Sequence, residues 1–455
     1  MSNGFASVLQ KVKRGDLPLS GLVSQESVDA ACLVEGYRSQ ASLYTPITTI
    51  LTFLAQLLGA DRSCQQAVDG LIAEQVAQGK KGCSTDTGGY CKARARLPEQ
   101  VYWRLAVQAG REIEREGEES WLWLGHRVLP VDGSTLQIAD TPENRREYPL
   151  QKNLKPGLHY PVVRILVVFS LAVGTVLQAA ISPYKGKGTG ETAMLRAMTD
   201  LFQPGDVQLV DRCYAGYWDV AYWIARGVHV VVRNSASRKS DFRRGKQLGP
   251  NDHLITWKKT ARPDWIDAEA AAQVPSTLEL REVCIVVRIP GFRTRKVIVI
   301  TTLTDPKKYT VDELANLYRR RWQAELQLRS LKTHMGMKQL RCKKPEMLRK
   351  EFALYLLAYN CIRRVGAEAA REKKLEPYEI SFKHTQQTIN EFFPRLHQSH
   401  NLNFWIEQLL HTVAGVIVGN RPDRIEPYTC KTRPQDFPAP KETRTSYKKR
   451  KAKTG

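Results

Sequence analysis

Two aspartates directly follow short apolar runs, at positions typical of the ends of strands in an α/β sheet. Asp132 follows residues 128–131 and Asp211 follows residues 207–210. Ligands bind beyond the carboxyl ends of such strands, so the two acids can converge on one metal position if their strands are neighbours. Either aspartate taken alone is also typical of an ordinary turn or helix cap.

A third acid lies in the helix predicted for residues 311–332. At about 100° per residue, one face of this helix carries Tyr318, Arg321, Glu325, Arg329 and Lys332, and Trp322 borders it. A solvated surface with spaced charge pairs is one interpretation. The aromatic companions favour a surface that meets a phosphodiester, where the carboxylate holds metal and the cations hold neighbouring phosphates.

The spacing on this helix matches a known family motif without a gap. The four matching positions of the Y-R-E-K motif are Tyr318, Arg321, Glu325 and Lys332. The chain therefore resembles bacterial insertion-sequence transposases of the DDE type, the insertion sequence four group. Residues 132–134, with 140–144 shortly after, resemble the first acidic block of that group, and residues 211–214 resemble the second. The likeness covers about residues 128–332, with a weaker likeness at residues 90–98.

The resemblance implies a ribonuclease H-like fold, which is a mixed α/β sheet flanked by helices. Asp132, Asp211 and Glu325 would be its catalytic acids and would bind two divalent ions, Mg²⁺ or Mn²⁺ as a substitute. A β-rich insertion before the last catalytic helix would account for the long interval between the second and third acids. The succession of short β-branched runs and helices after residue 127 independently predicts a mixed sheet covered by helices.

The resemblance also implies the reaction. Water cleaves the ends of the element to free a 3′-hydroxyl, which then attacks target DNA in the same site. Hard oxygen ligands are sufficient for Mg²⁺, so the reaction needs no Cys/His cluster. Two alternatives stay open: a DNA-binding protein of this fold that has lost catalysis and acts as a repressor or architectural factor, and a nuclease of this fold without strand transfer. Excision through a DNA hairpin also stays open, with Trp257 and Trp265 as the insertion's candidates for holding a flipped base.

The charge of the chain indicates a polyanionic partner. Lys and Arg number 69 against 46 Asp and Glu, which gives +23, while 42% hydrophobic residues exclude a wholly disordered chain. We expect double-stranded DNA as the partner, both the terminal inverted repeats of the element and its target, bound by a homodimer. The apolar run 162–172 contains Arg164 and is shorter than the ~20 residues of a membrane span. A cytoplasmic, nucleoid-associated protein is therefore expected, and its nine scattered cysteines are expected to be reduced.

Changes of pattern divide the chain into six regions. They are a helical N-terminal region for binding DNA ends (1–120), the first part of the catalytic core (121–234), the β-rich insertion (235–303), the second part of the core with the Glu325 helix (304–340), a helical C-terminal region (341–436) and a basic disordered tail (437–455). The helical pattern at 382–417 is compatible with packing against a second copy or within its own domain. The acidic run 112–119 predicts a solvated linker, and the glycine-rich residues 186–191 predict a turn and a helix start.

The predicted DNA contacts lie in three of these regions. The catalytic helix contributes Tyr318, Arg321, Trp322, Arg329 and Lys332, the insertion Arg243 and Arg244, and the helix near residue 90 Lys92, Arg94 and Arg96. This last helix follows a Ser/Thr/Gly-rich turn, as a groove-facing helix does in a helix-turn-helix module. A solvated surface helix is the alternative.

Overall fold

A computed structural model describes most of the chain. The described residues are 23–39, 42–59, 61–77, 79–150, 159–235, 237–287, 295–396, 401–418 and 450. The predicted basic tail lies outside them except for Arg450. Within these ranges no helix is long and apolar enough to span a membrane.

Ten described strands form one mixed sheet. They are β1 (Val128–Ile138), β2 (Val162–Phe169), β3 (Val176–Pro183), β4 (Val207–Val210), β5 (His229–Arg233), β6 (Lys246–Gly249), β7 (Asp252–Lys258), β8 (Thr277–Val287), β9 (Arg295–Thr301) and β10 (Gln339–Leu340). Their order is β3-β2-β1-β4-β5-β9-β8-β7-β6, and β10 pairs with β1. The strands β1, β4 and β5 run parallel to one another, as does β10 to β1, whereas the remaining neighbours are antiparallel.

Helices cover this sheet and form both ends of the described chain. They are α1 (Gln25–Val34), α2 (Pro46–Leu58), α3 (Cys64–Ala77), α4 (Gly88–Arg96), α5 (Glu99–Arg115), α6 (Pro142–Glu147), α7 (Glu191–Arg196), α8 (Tyr217–Ile224), α9 (Ala268–Gln273), α10 (Val311–Arg320), α11 (Trp322–Arg329), α12 (Pro345–Lys373), α13 (Phe382–Leu396) and α14 (Leu402–Ala414). The architecture is the ribonuclease H-like α/β fold that the sequence predicted.

The insertion extends the core sheet instead of forming a separate one. Its last strand, β9, pairs antiparallel with β5 of the core, and β8, β7 and β6 follow outward. The fold therefore contains the predicted β-rich insertion before the last catalytic helix. The element that follows β9 in the chain is α10. The insertion and this helix are therefore both attached to the core at the edge formed by β5.

The long helix α12 joins the N-terminal helices to the sheet. Its Asn360 is fully buried; the side-chain amide donates to the carbonyls of Ala106 in α5 and Val176 in β3, and its oxygen accepts the Val176 N–H at 2.8 Å. A Cβ at Gly110 would overlap the Val176 carbonyl, so α5 can approach β3 this closely only with glycine there. Lys350, also fully buried, donates to the carbonyls of Arg94 and Ala95 at the end of α4.

Several predicted boundaries were wrong. Asp132 lies inside β1, where the end of a strand was expected, because Asp132 and Gly133 keep their pairing with Val167 and Leu166 of β2. The expected helix 311–332 consists of α10, α11 and a π-helical turn, Ser330–His334. The expected helix at 382–417 is divided into α13 and α14.

The acidic run 112–119 is a solvated segment only in part, because Glu116, Glu118 and Glu119 are exposed whereas Glu114 is largely buried. Glu114 lies inside α5 and accepts a hydrogen bond from Arg127 at 2.7 Å, while Glu116 and Glu118 pair with Arg364 and Arg371 of α12. These acids neutralise cations at the joint between α5, the sheet and α12. Charge alone in the sequence does not distinguish such a joint from a solvated segment.

Candidate active site

The parallel pairing of β1 and β4 brings the two aspartates to the same edge. The pairing between β1 and β4 ends at Pro130 and Leu209. Asp132 and Asp211 each come two residues later. Neighbouring strands lie about 4.8 Å apart, so the two carboxylates emerge side by side. All four residues of β4 are buried, which fixes the point from which Asp211 emerges.

Glu325 of α11 faces the same point. Burial first, and then the charge of Glu325, raise the pKa of Asp132 to about 7, while Arg321 acts in the opposite direction. The guanidinium of Arg321 donates to Glu325 Oε1 at 2.8 Å and lies 5.8 Å from the centre of the Tyr318 ring. Asp211 contributes to the raised pKa of Tyr318, after burial. These charges therefore act on one another in a single, partly dehydrated cluster.

The fourth position of the motif reaches this cluster from the π-helical turn. The Lys332 ammonium donates to Ser134 Oγ at 2.8 Å, two residues beyond Asp132. Burial lowers the pKa of Lys332, and the nearby Asp132 partly opposes that shift. A π-helical turn contains more residues than an α-helical turn, and in this turn Lys332 lies close to Asp132.

A fourth carboxylate, which the sequence did not single out, lies against the two acidic blocks. Glu191, the first residue of α7, packs its carboxylate on Gly133 and accepts a hydrogen bond from the Tyr214 hydroxyl at 3.3 Å. The pKa of Cys213 is raised to about 12, by partial desolvation first and then by Glu191, Asp211 and Asp132. The predicted helix start at residue 191 is confirmed, but no motif marked Glu191 because its contacts lie far away in the sequence.

The acids provide the hard oxygen donors that Mg²⁺ or Mn²⁺ prefers. The charge of Glu325 raises the cost of ionising Asp132, which a divalent cation between the two carboxylates would relieve. In the described part of the chain, however, no three His, Cys, Asp or Glu side chains are already arranged around one metal position. Glu325 instead accepts from Arg321, and Asp132 Oδ1 accepts the Gly133 N–H at 3.0 Å. The donor chemistry fits a metal, and metal binding would require these carboxylates to turn.

Four further predicted DNA contacts, on the helix of Glu325 and in the insertion, are exposed. Trp322 is 52% exposed, and Arg329 is exposed on the same helix. Arg243 and Arg244 are exposed and both pair with Asp241. A polyanion can therefore reach these four side chains.

The two tryptophans of the insertion occupy different environments. Trp257 is 6% exposed and lies under the Arg238 guanidinium at 3.5 Å. Trp265 is 38% exposed, and the Arg196 guanidinium covers its ring at 4.0 Å. Trp265 is thus the more accessible of the two rings.

The basic helix of the N-terminal region divides its cations between surface and core. Lys92 and Arg96 of α4 are exposed, whereas Arg94 is 8% exposed and donates to Gln56 Oε1 at 2.9 Å. The prediction that Arg94 contacts DNA does not fit this placement, because its guanidinium is used inside the helical bundle. Helical spacing from Lys92 and Arg96 turns Arg94 toward α2 and α3.

The contact between Glu191 and Gly133 gives a first prediction. A Cβ at residue 133 would overlap the Glu191 carboxylate. We expect Gly133→Ala to displace the Glu191 carboxylate and to lower the rate of the DNA cleavage that the resemblance implies about 10²-fold, as misplacement by ~1 Å does. Gly190→Ala is the matched control, because a Cβ there meets nothing within 4 Å. Equal rates for the two variants would show that the contact does not position the acids.

Comparisons with known proteins agree on one family. The family model described as transposase DDE domain matches residues 123–361, slightly more than half of the chain. The transposase InsG for insertion sequence element IS4 of Escherichia coli (strain K12) is 25% identical over 365 residues, which cover 76% of this chain and 78% of that protein. The matched segment contains Asp132, Asp211 and the helix of Glu325.

Proposed function

Because the chain belongs to the transposase DDE domain family, we propose that it cleaves the ends of its own insertion sequence and joins them to target DNA. The observation that carries the proposal is the convergence of β1, β4 and α11, which bring Asp132, Asp211 and Glu325 to one cluster. The charge of +23 is consistent with a DNA substrate.

In the proposed reaction, the three acids provide the ligands for two divalent cations, Mg²⁺ or Mn²⁺. When bound, such a pair activates the attacking hydroxyl or water and stabilises the leaving oxygen. The protein's own part is to bring the carboxylates to one place. Arg321 pairs with the Glu325 carboxylate, which would turn toward the metal when one binds, and Glu191 packs on the backbone next to Asp132.

The cations around the acids have a separate part in the proposal. Lys332, held beside Asp132 by Ser134, would contact a phosphate next to the cleaved bond, and Arg321 the phosphate beyond it. Tyr318 would donate a hydrogen bond, and the exposed Trp322 would stack on a displaced base. Water makes the first cut, and the resulting 3′-hydroxyl is the second nucleophile in the same site.

The proposed partners are the terminal inverted repeats, the target DNA and a second copy of the chain. Two ends must be paired before they can be joined together, which is the functional reason for a homodimer. In support of it, Phe404 of α14 and the three residues 416–418 expose apolar side chains in the C-terminal region. Lys92 and Arg96 of α4 are the proposed end-binding cations of the N-terminal region. They follow the Ser/Thr/Gly-rich turn that precedes this helix.

The proposal is tested by incubating the purified chain with its element ends, a target plasmid and Mg²⁺. We expect cleaved 3′ ends and covalently joined products. Cleavage without joining would favour the nuclease, and salt-sensitive DNA binding without any nicking would favour the silent DNA-binding protein. Either outcome would overturn the proposed function.

A further inference from the structure

Two thiols meet at a cavity in the N-terminal helices, away from the acidic cluster. The cavity has a volume of about 460 Å³ and lies between α2, α3, α4 and the segment that enters α12. Cys64, the first residue of α3, and Cys91 of α4 both line it, with their Sγ atoms 3.8 Å apart. Both side chains are half-buried and carry free thiols, so a small solute can reach them.

A buried cation lies against both sulfurs. Arg94 Nη2 is 3.3 Å from Cys64 Sγ and 3.6 Å from Cys91 Sγ. Gln56 and the rings of Phe53 and Tyr90 hold the guanidinium in place. A fixed positive charge stabilises a thiolate, which is the nucleophilic form of cysteine. Burial raises the pKa of Cys64, and Arg94 is the first contact that opposes this rise.

We propose that Cys64 and Cys91 are a redox modification site, at which hydrogen peroxide converts the two thiols into a disulfide. One thiolate attacks an oxygen of the peroxide, the O–O bond breaks, and a sulfenic acid and hydroxide form; the hydroxide becomes water with the proton that the thiol had released. The other sulfur then attacks the sulfenic sulfur, the S–O bond breaks, and a second water leaves. Two thiols are oxidised and one peroxide is reduced to two waters.

The two sulfur atoms are already in van der Waals contact, at 3.8 Å. A disulfide has a sulfur–sulfur distance of about 2.05 Å, so the two Sγ atoms must approach each other by roughly 1.8 Å. The new bond would tie α3 to α4 across the turn at residues 79–87. It would also fix α4, whose exposed Lys92 and Arg96 are proposed to contact DNA. The thiol chemistry itself does not depend on the proposed transposase activity.

Cys342 is the competing partner, because it lines the same cavity. It follows β10 and its backbone N–H donates to the buried Glu351 at 2.9 Å. Burial and the charge of Glu351 raise the pKa of its thiol. The sulfur atoms of Cys64 and Cys91 are already in contact at 3.8 Å, so the proposal places the disulfide between these two and leaves Cys342 reduced.

The test treats the full-length chain with hydrogen peroxide, alkylates the remaining thiols and maps cross-linked peptides by mass spectrometry. Trypsin leaves Cys83 and Cys91 in one peptide, residues 82–92, so the mapping is done in Cys83→Ser. We expect a peptide joined through Cys64 and Cys91, reversed by dithiothreitol, and absent from Cys64→Ser and Cys91→Ser. Cys342→Ser is the matched control and should keep it.

Three results would overturn the proposal. They are alkylation of both thiols after peroxide treatment, a disulfide that includes Cys342, and oxidation of single cysteines to sulfinic acid without cross-linking. The role of the cation is measured with Arg94→Met, which should form the disulfide about tenfold more slowly. Its fold is checked by circular dichroism, and an unchanged rate in the folded variant would show that Arg94 does not activate the pair.

Discussion

Replacing Glu325 by Gln should lower the rate of metal-dependent cleavage of element-end DNA about 10³-fold, and Asp132→Asn and Asp211→Asn should do the same. Each change removes one charged oxygen ligand, and two-metal catalysis supplies several kcal/mol of transition-state stabilisation. The amide oxygen of Gln can still accept the hydrogen bond of Arg321, so the helix face should be preserved. The measurement is single-turnover cleavage of a labelled end in Mg²⁺ and in Mn²⁺.

Two controls separate this loss from misfolding. Asp264 lies outside the cluster and its side chain is 87% exposed. We expect the Asp264→Asn variant to cleave DNA at the wild-type rate. The pKa of Asp132 is raised in the folded chain, so its charge opposes folding more and more as the pH rises from about 4 to 7. Metal-free Asp132→Asn should therefore melt at the wild-type temperature or above it at pH 8. Undiminished cleavage by any of the three variants would remove that acid from the proposed site.

The sequence predicted the parts of the site that depend on local pattern. Apolar runs of four residues indicated the two strands, although only Asp211 follows its strand and Asp132 lies inside β1. The spacing around Glu325 indicated a helix face shared with Arg321 and Lys332. The three blocks in order then identified the family. Which strands are neighbours came only from the structure, where β1 and β4 pair in parallel. Metal binding by these acids stays a prediction.

The features that the sequence missed depend on contacts between distant segments. Glu191 lies on Gly133, and that contact follows from the packing of α7 over β1. Arg94 had the same apparent character as Lys92 and Arg96, but only one side of α4 faces α2 and α3, and a short basic helix gives little hydrophobic pattern from which to tell that side. The acidic run 112–119 was similarly ambiguous, because its partners Arg364 and Arg371 belong to α12, about 250 residues away.

Asp252→Ala should lower the free energy of unfolding by about 3–5 kcal/mol, because it leaves the buried Arg281 guanidinium without its charged partner. Arg281 of β8 is fully buried and donates to both carboxylate oxygens of Asp252 in β7, at 2.8 and 2.6 Å. Its third hydrogen bond, at 2.6 Å, goes to the carbonyl of Tyr309, which lies just before the start of α10. The pair therefore fixes the insertion to the helix that precedes Glu325, and chemical denaturation measures the loss.

A double variant distinguishes the cost of an unpaired charge from general damage to the insertion. Arg281→Met combined with Asp252→Leu removes both charges and fills similar volume, so it should be more stable than Asp252→Ala alone. Asp241→Ala is the matched surface control, because its partner Arg243 is 90% exposed, and it should leave unfolding nearly unchanged. If the double variant is as unstable as the single one, the lost stability lies in β-sheet packing and not in the buried charge. If Asp252→Ala unfolds like the wild type, the pair does not hold the insertion in place.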